Sequence, residues 1–235
     1  MLTTSSFTEA MEWALEFFGE LNVPRVWIPE KAFVGAARDG NAISFTRSVT
    51  SATGEGLFGL ALGAHPIILP SWNEFAIAQG TNPAIASEFT VRHNWETHSI
   101  ATRSQSYEIE PLEGVEEDVF IANFLDTHAP NSSARPGNPE IEFWGCVRNA
   151  KGEIAAIAAI TQWESGEKML SSVATHTDMR GQGFAQKVCA GVVGLAYDRG
   201  IERIHLVVLS ENVAAIQAYA KIGFESVGKF TSYAR

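Results

Sequence analysis

Long apolar runs, basic clusters and closely spaced cysteines are all missing from this chain. No apolar stretch approaches the roughly 18 residues that a membrane span needs, so no membrane association is expected. The two cysteines, Cys146 and Cys189, stand far apart without metal-ligand spacing, which excludes a disulfide framework or a zinc ribbon and predicts reduced core residues. Basic residues are outnumbered, 17 Lys and Arg against 27 Asp and Glu. The imbalance is shared: residues 1–104 carry 6 basic and 10 acidic side chains, and residues 105–235 carry 11 and 17. With no basic face concentrated anywhere, nucleic acid is excluded as the expected partner. The first 18 residues hold Glu9, Glu12 and Glu16 and no basic residue, the wrong chemistry for a secretory leader, so a cytoplasmic protein is expected.

What the chain does have is apolar content, 46% of residues, enough for a buried core in one large or two small domains. Ser6-Phe7-Thr8-Glu9 has the form of a helix capping box, and Met11, Ala14, Leu15 and Phe18 follow at helical spacing. Residues 43–49 and 57–62 read as strands, 66–70 as an apolar run bounded by prolines, and 72–79 as a short helix. This part carries no repeat and no recognised motif. A polar stretch over residues 97–106 suits a domain boundary, placed between 104 and 105.

The second part is more regular. Residues 107–112 read as a strand, and 115–127 as a helix with Val119, Phe120, Ile121 and Phe124 toward one face. Residues 129–139 gather three prolines, a glycine, two serines and two asparagines, which makes them loop. Strands at 143–148, 154–163 and 169–175 are separated by short turn sequences, as in an antiparallel meander. A long helix from Phe184 to a stop at Gly200 follows, in which Gly191 and Gly194 suggest close packing; a strand at 203–209, a helix at 213–222 and a last strand at 224–230 complete the order. The expected fold is α/β (α+β): a mixed, mostly antiparallel sheet flanked by helices over 105–235, preceded by a smaller α+β region.

Between strand and helix lies Arg180-Gly181-Gln182-Gly183-Phe184-Ala185. Glycines let a backbone approach a ligand closely, and the free N–H groups and dipole of a helix's first turn favour phosphate oxygens. The nucleotide loop Gly-x-x-x-x-Gly-Lys-Ser/Thr is absent, and Gln186 stands where a dinucleotide fingerprint needs its third small residue. By itself the hexapeptide is equally readable as a glycine-rich turn without a ligand. A second constellation begins at Asn212 and runs through Ala215 and Tyr219 to Gly223-Phe224.

With these two segments in register, residues 105–235 resemble the GNAT superfamily of N-acetyltransferases, whose signature pairs Arg/Gln-x-x-Gly-x-Gly/Ala with Asn-x-x-Ala-x-x-x-Tyr-x-x-x-Gly-Phe. The resemblance implies that the main chain of Val173, Ala174 and Thr175 pairs with the pantetheine arm of acetyl-CoA. It implies that Arg180, Gly181, Gln182, Gly183, Phe184 and Ala185 hold the pyrophosphate, mostly through backbone N–H groups. Asn212 would contact the pantetheine or order the following helix, and Tyr219 would place its hydroxyl near the thioester sulfur. Thr177 departs from the pattern, since many members have proline there. The same pairing of a working domain with a degenerate copy is common in the family, which makes 1–104 a candidate for a worn half-domain.

Direct attack of a primary amine on the thioester needs a free lone pair, a site for the tetrahedral oxygen and a proton for the leaving thiolate. Tyr219 is the candidate acid. His176, at the strand's end, is the first candidate base, with Glu142 behind it. The acceptor is expected to be a small-molecule or peptide amine, and a homodimer is left open. No metal is expected, because His93-Asn94-Trp95-Glu96-Thr97-His98 lacks the His-Glu-x-x-His spacing of zinc proteases, and His205 reads as a core histidine. The reading from another class is a non-catalytic acyl-CoA-binding sensor or scaffold; an unbroken loop together with Tyr219 favours the enzyme.

Overall fold

The computed structural model describes residues 1–51, 54–81, 83–102 and 107–235. In chain order these form β1 (Leu2–Thr4), α1 (Phe7–Phe18), α2 (Asn22–Trp27), β2 (Phe33–Asp39), β3 (Ala42–Ser51), β4 (Gly54–Leu62), β5 (Glu74–Ala78) and β6 (Thr90–Ile100). There follow β7 (Glu110–Leu112), α3 (Val115–His128), β8 (Ile141–Arg148), β9 (Ile154–Gln162), β10 (Lys168–Thr175), α4 (Phe184–Asp198), β11 (Ile204–Leu209), α5 (Val213–Lys221) and β12 (Glu225–Ala234). The boundary expected at 104/105 lies outside the described residues. Two compact units are formed, one from Met1–Thr97 with Val207–Glu211 and Ser226–Arg235, the other from His98–Leu206 with Asn212–Glu225.

In the first unit the strands follow β1-β2-β3-β4-β5-β12-β6. β1 to β4 pair antiparallel, β4 and β5 pair parallel, and β12 closes antiparallel on β5, with Phe230 opposite Ala78. Ser6 caps α1 by accepting from the Glu9 N–H at 3.3 Å. The capping box is only half made, because the Glu9 carboxylate accepts from the Thr4 hydroxyl instead of the Ser6 N–H. α1 buries Ala10, Met11, Trp13 and Ala14, whereas Leu15 and Phe18, expected on that face, are exposed. Trp13 and Phe17 turn the buried stripe, and Arg38 covers the Phe17 ring at 4.3 Å. Residues 72–79, expected as a helix, hold strand β5. Its alternation is ambiguous at that length, and pairing with β4 decides it. Trp72, before that strand, is wholly buried, donates to Thr46 Oγ1 at 2.9 Å, and lies so close over Gly59 that a Cβ there would meet its ring at 2.1 Å.

The second unit has the order β11-β10-β9-β8-β7. β8 to β10 are the expected antiparallel meander, β7 pairs antiparallel with β8 across the α3 connection, and β10 pairs in parallel with β11 at Met169 and His205. α3 buries Ile121, Phe124 and Leu125; Val119 and Phe120 stay exposed, a rotation of the face read from the sequence. Gly191 of α4 does mark close packing, but against the segment before β7: a Cβ there would lie 2.0 Å from Ile109 Cγ2. Cys146 and Cys189 are free and fully buried, as expected. His205 is buried too, with Nε2 3.2 Å from Glu167. Both units repeat one order: short strand, helix, three antiparallel strands, crossover, parallel strand. The crossovers differ. In the second unit it carries α4, and in the first, residues 63–73 contain no helix.

Candidate active site

β10 is interrupted at its middle. Its register against β9 shifts between Ser171 and Ala174, and Ser172 takes a φ of 48°, the left-handed region that side chains avoid. Two hydrogen bonds hold it there: Ser172 Oγ donates to the Ala134 carbonyl at 2.8 Å and accepts from the Ala134 N–H at 3.1 Å. Past this bulge Val173, Ala174 and Thr175 line one wall of a groove of about 660 Å³.

The floor of the groove is the strand-to-helix loop. Gly181 and Gly183 adopt φ of 74° and 80°, with open space where a Cβ would stand, so glycine is required there by conformation and not by crowding. Gly183 is the N-cap of α4, no side chain caps it, and the first turn has no acidic residue. The N–H groups of that turn are therefore left for an anion, with the helix dipole behind them. This arrangement fits the pyrophosphate of an acyl-CoA. Phe184 and Ala185 also line the groove; Gln182 instead lines a neighbouring hollow and donates to the Asp178 carbonyl at 3.3 Å.

The opposite wall is α5, which buries no residue fully. Asn212 caps it by accepting from the Ala215 N–H at 3.3 Å, and it also lines the groove. Ala214, Ala215, Ala218 and Tyr219 face the groove, small residues leaving room beside one aromatic. The Tyr219 carbonyl accepts from the Ile222 and Phe224 N–H groups, both at 3.1 Å, which ends the helix over Gly223. Burial, and secondarily the nearby Cys189, raise the Tyr219 hydroxyl above the ordinary tyrosine value. It stays protonated at neutral pH and can donate but not serve as a base.

His176 does not line this groove. It lines the adjacent hollow of about 790 Å³ with Phe120, Asn149, Lys151, Glu153 and Asp178. Its Nδ1 accepts from the Asp178 N–H at 3.3 Å, and its ring packs tilted against His128 at 4.2 Å. Glu142 is paired with Lys168 at 2.5 Å. The residue that sequence reading missed is His128, which lines both groove and hollow. It is held below the ordinary histidine value, first by burial and then by His176 and Arg180, with Asp178 opposing. No motif flags it; its place at the end of α3, ahead of a proline-rich loop, was its only signal. Lys221 at the far rim was also missed. Among the described residues no cluster of His, Cys, Asp and Glu is arranged to hold a metal, and no helix is long and apolar enough to cross a membrane.

Solved structures share this fold over nearly the full chain. A GCN5-related N-acetyltransferase from Kribbella flavida superposes with a TM-score of 0.56 at 14% identity, covering 96% of this chain and 94% of its own. A GNAT-family acetyltransferase from Colwellia psychrerythraea gives 0.53 at 14% identity, covering 99% and 98%, and a GCN5-related N-acetyltransferase from Sphaerobacter thermophilus gives 0.51 at 13%, covering 100% and 95%. No curated protein matches the sequence. The profile of the acetyltransferase (GNAT) family matches residues 100–224, and the chain belongs to that family.

Proposed function

We propose that the protein transfers the acetyl group of acetyl-CoA to a primary amine of a small molecule or peptide by direct attack. One observation carries this reading: a single groove brings together the Val173–Thr175 edge beyond the bulge, the open N-terminus of α4, Asn212 and Tyr219. The amine nitrogen forms the new bond to the acetyl carbon, the carbon–sulfur bond breaks, the thiolate gains one proton, and the amine loses one. Main-chain groups beside the Ser172 bulge offer hydrogen bonds to the thioester arm and to the oxygen that becomes negative. Tyr219, kept protonated by burial, donates toward the sulfur as negative charge develops on it. His176, engaged with Asp178 and His128 on the hollow side, is assigned to the loop corner. Proton uptake from the amine falls to water or to a group lining the acceptor site.

Residues 1–104 are proposed to be a half-domain descended from the same plan and worn down. The repeated element order supports this, and the crossover at 63–73 accounts for the wear: it holds no helix, so the first unit has no counterpart there of the α4 N-terminus that cradles an anion in the second. The test is acetyl-CoA-dependent thiol release over amino acids, polyamines, aminoglycosides and peptide N-termini. Release with one class and transfer of label to its amine supports the enzyme. Acetyl-CoA binding without release by any amine would instead support the sensor.

A further inference from the structure

His128 is the last residue of α3, and it meets the cofactor loop at three places. Its Nδ1 accepts from the Thr177 N–H at 3.2 Å and stands 2.9 Å from Thr177 Oγ1. The carbonyl of the same residue, left without a partner by the helix end, accepts from Arg180 Nη2 at 2.7 Å. The ring lies between Phe124, edge-on at 4.5 Å, and His176, tilted at 4.2 Å. Resting on the acetyl-CoA reading of the adjoining groove, we propose that His128 is a positioning residue for the cofactor loop, latching the corner at Thr177.

The latch requires an acceptor at Nδ1, because the backbone N–H of Thr177 can only donate. The ring therefore carries its proton on Nε2 when neutral, and protonation at Nδ1 breaks the bond. Charged and titratable groups facing it are His176, Asp178 and Arg180 from the loop, with Lys151 and Glu153 across the hollow. The sign follows from its depressed pKa: the latch is intact above the ordinary histidine value of about 6.5 and is lost as pH falls through the lower folded value. A loop freed this way must be ordered again on binding, which weakens affinity.

The corner can also be held in another way. His176 has φ −49° and ψ 131°, the extended conformation favoured before proline, and Thr177 opens a short 3₁₀ turn, where proline is tolerated. Proline at 177 would fix the corner covalently and remove the N–H that needs His128.

The experiment uses the full chain and four proteins: wild type, His128→Ala, His128→Asn and the double variant His128→Ala with Thr177→Pro. Acetyl-CoA affinity is titrated from about pH 5 to 8 and amide exchange is followed over residues 178–183. The expected result is an affinity about tenfold weaker in His128→Ala with no acid limb, and faster exchange. His128→Asn, whose Oδ1 can take the place of Nδ1, keeps wild-type affinity at pH 7.5 and loses the acid limb; the proline variant recovers both affinity and slow exchange. Unchanged affinity and exchange in His128→Ala overturns the proposal, as does an asparagine variant as weak as alanine. A wild type that takes up no acetyl-CoA defeats the acetyl-CoA reading of the groove, and the latch is then judged by exchange alone: faster with alanine supports it, unchanged sinks it.

Discussion

Ser172 and Ala134 exchange two hydrogen bonds, hydroxyl to carbonyl and N–H to hydroxyl, and so tie the bulge of β10 to the proline-rich loop before β8. Serine is there in spite of its left-handed φ, because its hydroxyl is the only part of the residue that can reach both backbone groups of Ala134. Ser172→Ala keeps the strained backbone and strands a buried N–H and C=O, so a loss of about 2 kcal/mol in urea unfolding is expected, with a fall in kcat. Ser172→Gly relieves the φ and should lose less. Equal losses in the two variants would show that the hydrogen bonds, and not the backbone, dominate.

Tyr219→Phe removes a hydroxyl and little else. Turnover should drop by about 10²-fold while acetyl-CoA affinity stays nearly constant, since the donor is needed only as charge develops on sulfur. Single-turnover rates with the best amine provide the check; an unaltered rate takes Tyr219 out of the mechanism.

Two glycines of the same segment are required for different reasons. Gly183→Ala meets open space but a φ of 80°, so unfolding free energy should fall by about 1 kcal/mol and acetyl-CoA affinity should weaken as the loop shifts to relieve the strain. Gly191→Ala forces a Cβ against Ile109 and the Tyr107 carbonyl, and unfolding free energy should fall by about 1–3 kcal/mol while the affinity of folded molecules is retained. Calorimetric titration beside chemical denaturation separates the two cases.

The buried thiols predict alkaline behaviour. Burial pushes Cys189 up to about 12 and Cys146, beside Glu110, up to about 11. A raised folded pKa gives stability that is fully present below the unfolded thiol value of about 8.5 and lost as pH climbs toward the folded one. Cys189 alone should cost about 2 kcal/mol by about pH 10. Cys189→Ala is less stable at neutral pH but should lose less between pH 8 and 10. A thiol reagent should find neither cysteine until the protein is unfolded; rapid native labelling would contradict the burial.

Much of the second unit was legible because its signals are local. Turn residues space β8, β9 and β10, and the glycines at 181 and 183 announce a strand-to-helix corner. The first unit hides its plan. Residues 72–79 satisfy either period, and pairing with Phe58 and its neighbours on β4 and with β12 on the other side makes them a strand. α1 and α3 were read as helices with their buried faces turned, since Leu15, Phe18, Val119 and Phe120 fit the helical period without meeting a core. His128 was invisible because its role depends on Thr177 and Arg180, which are distant in sequence and brought near by the fold.

β12 belongs to the unit that Met1–Thr97 begins, and it is the strand laid along β5. On a ribosome that emits about 5–20 residues per second, the first unit therefore waits several seconds, with an edge of β5 unpaired, while the whole second unit is made. The order of completion is the reverse of the order of synthesis: the half that holds the groove closes first, and the half that began first is finished last. A chain stopped after Gly223 would hold every residue of the groove and still leave its first product an open-edged intermediate, a target for chaperones and for pairing with a second unfinished chain.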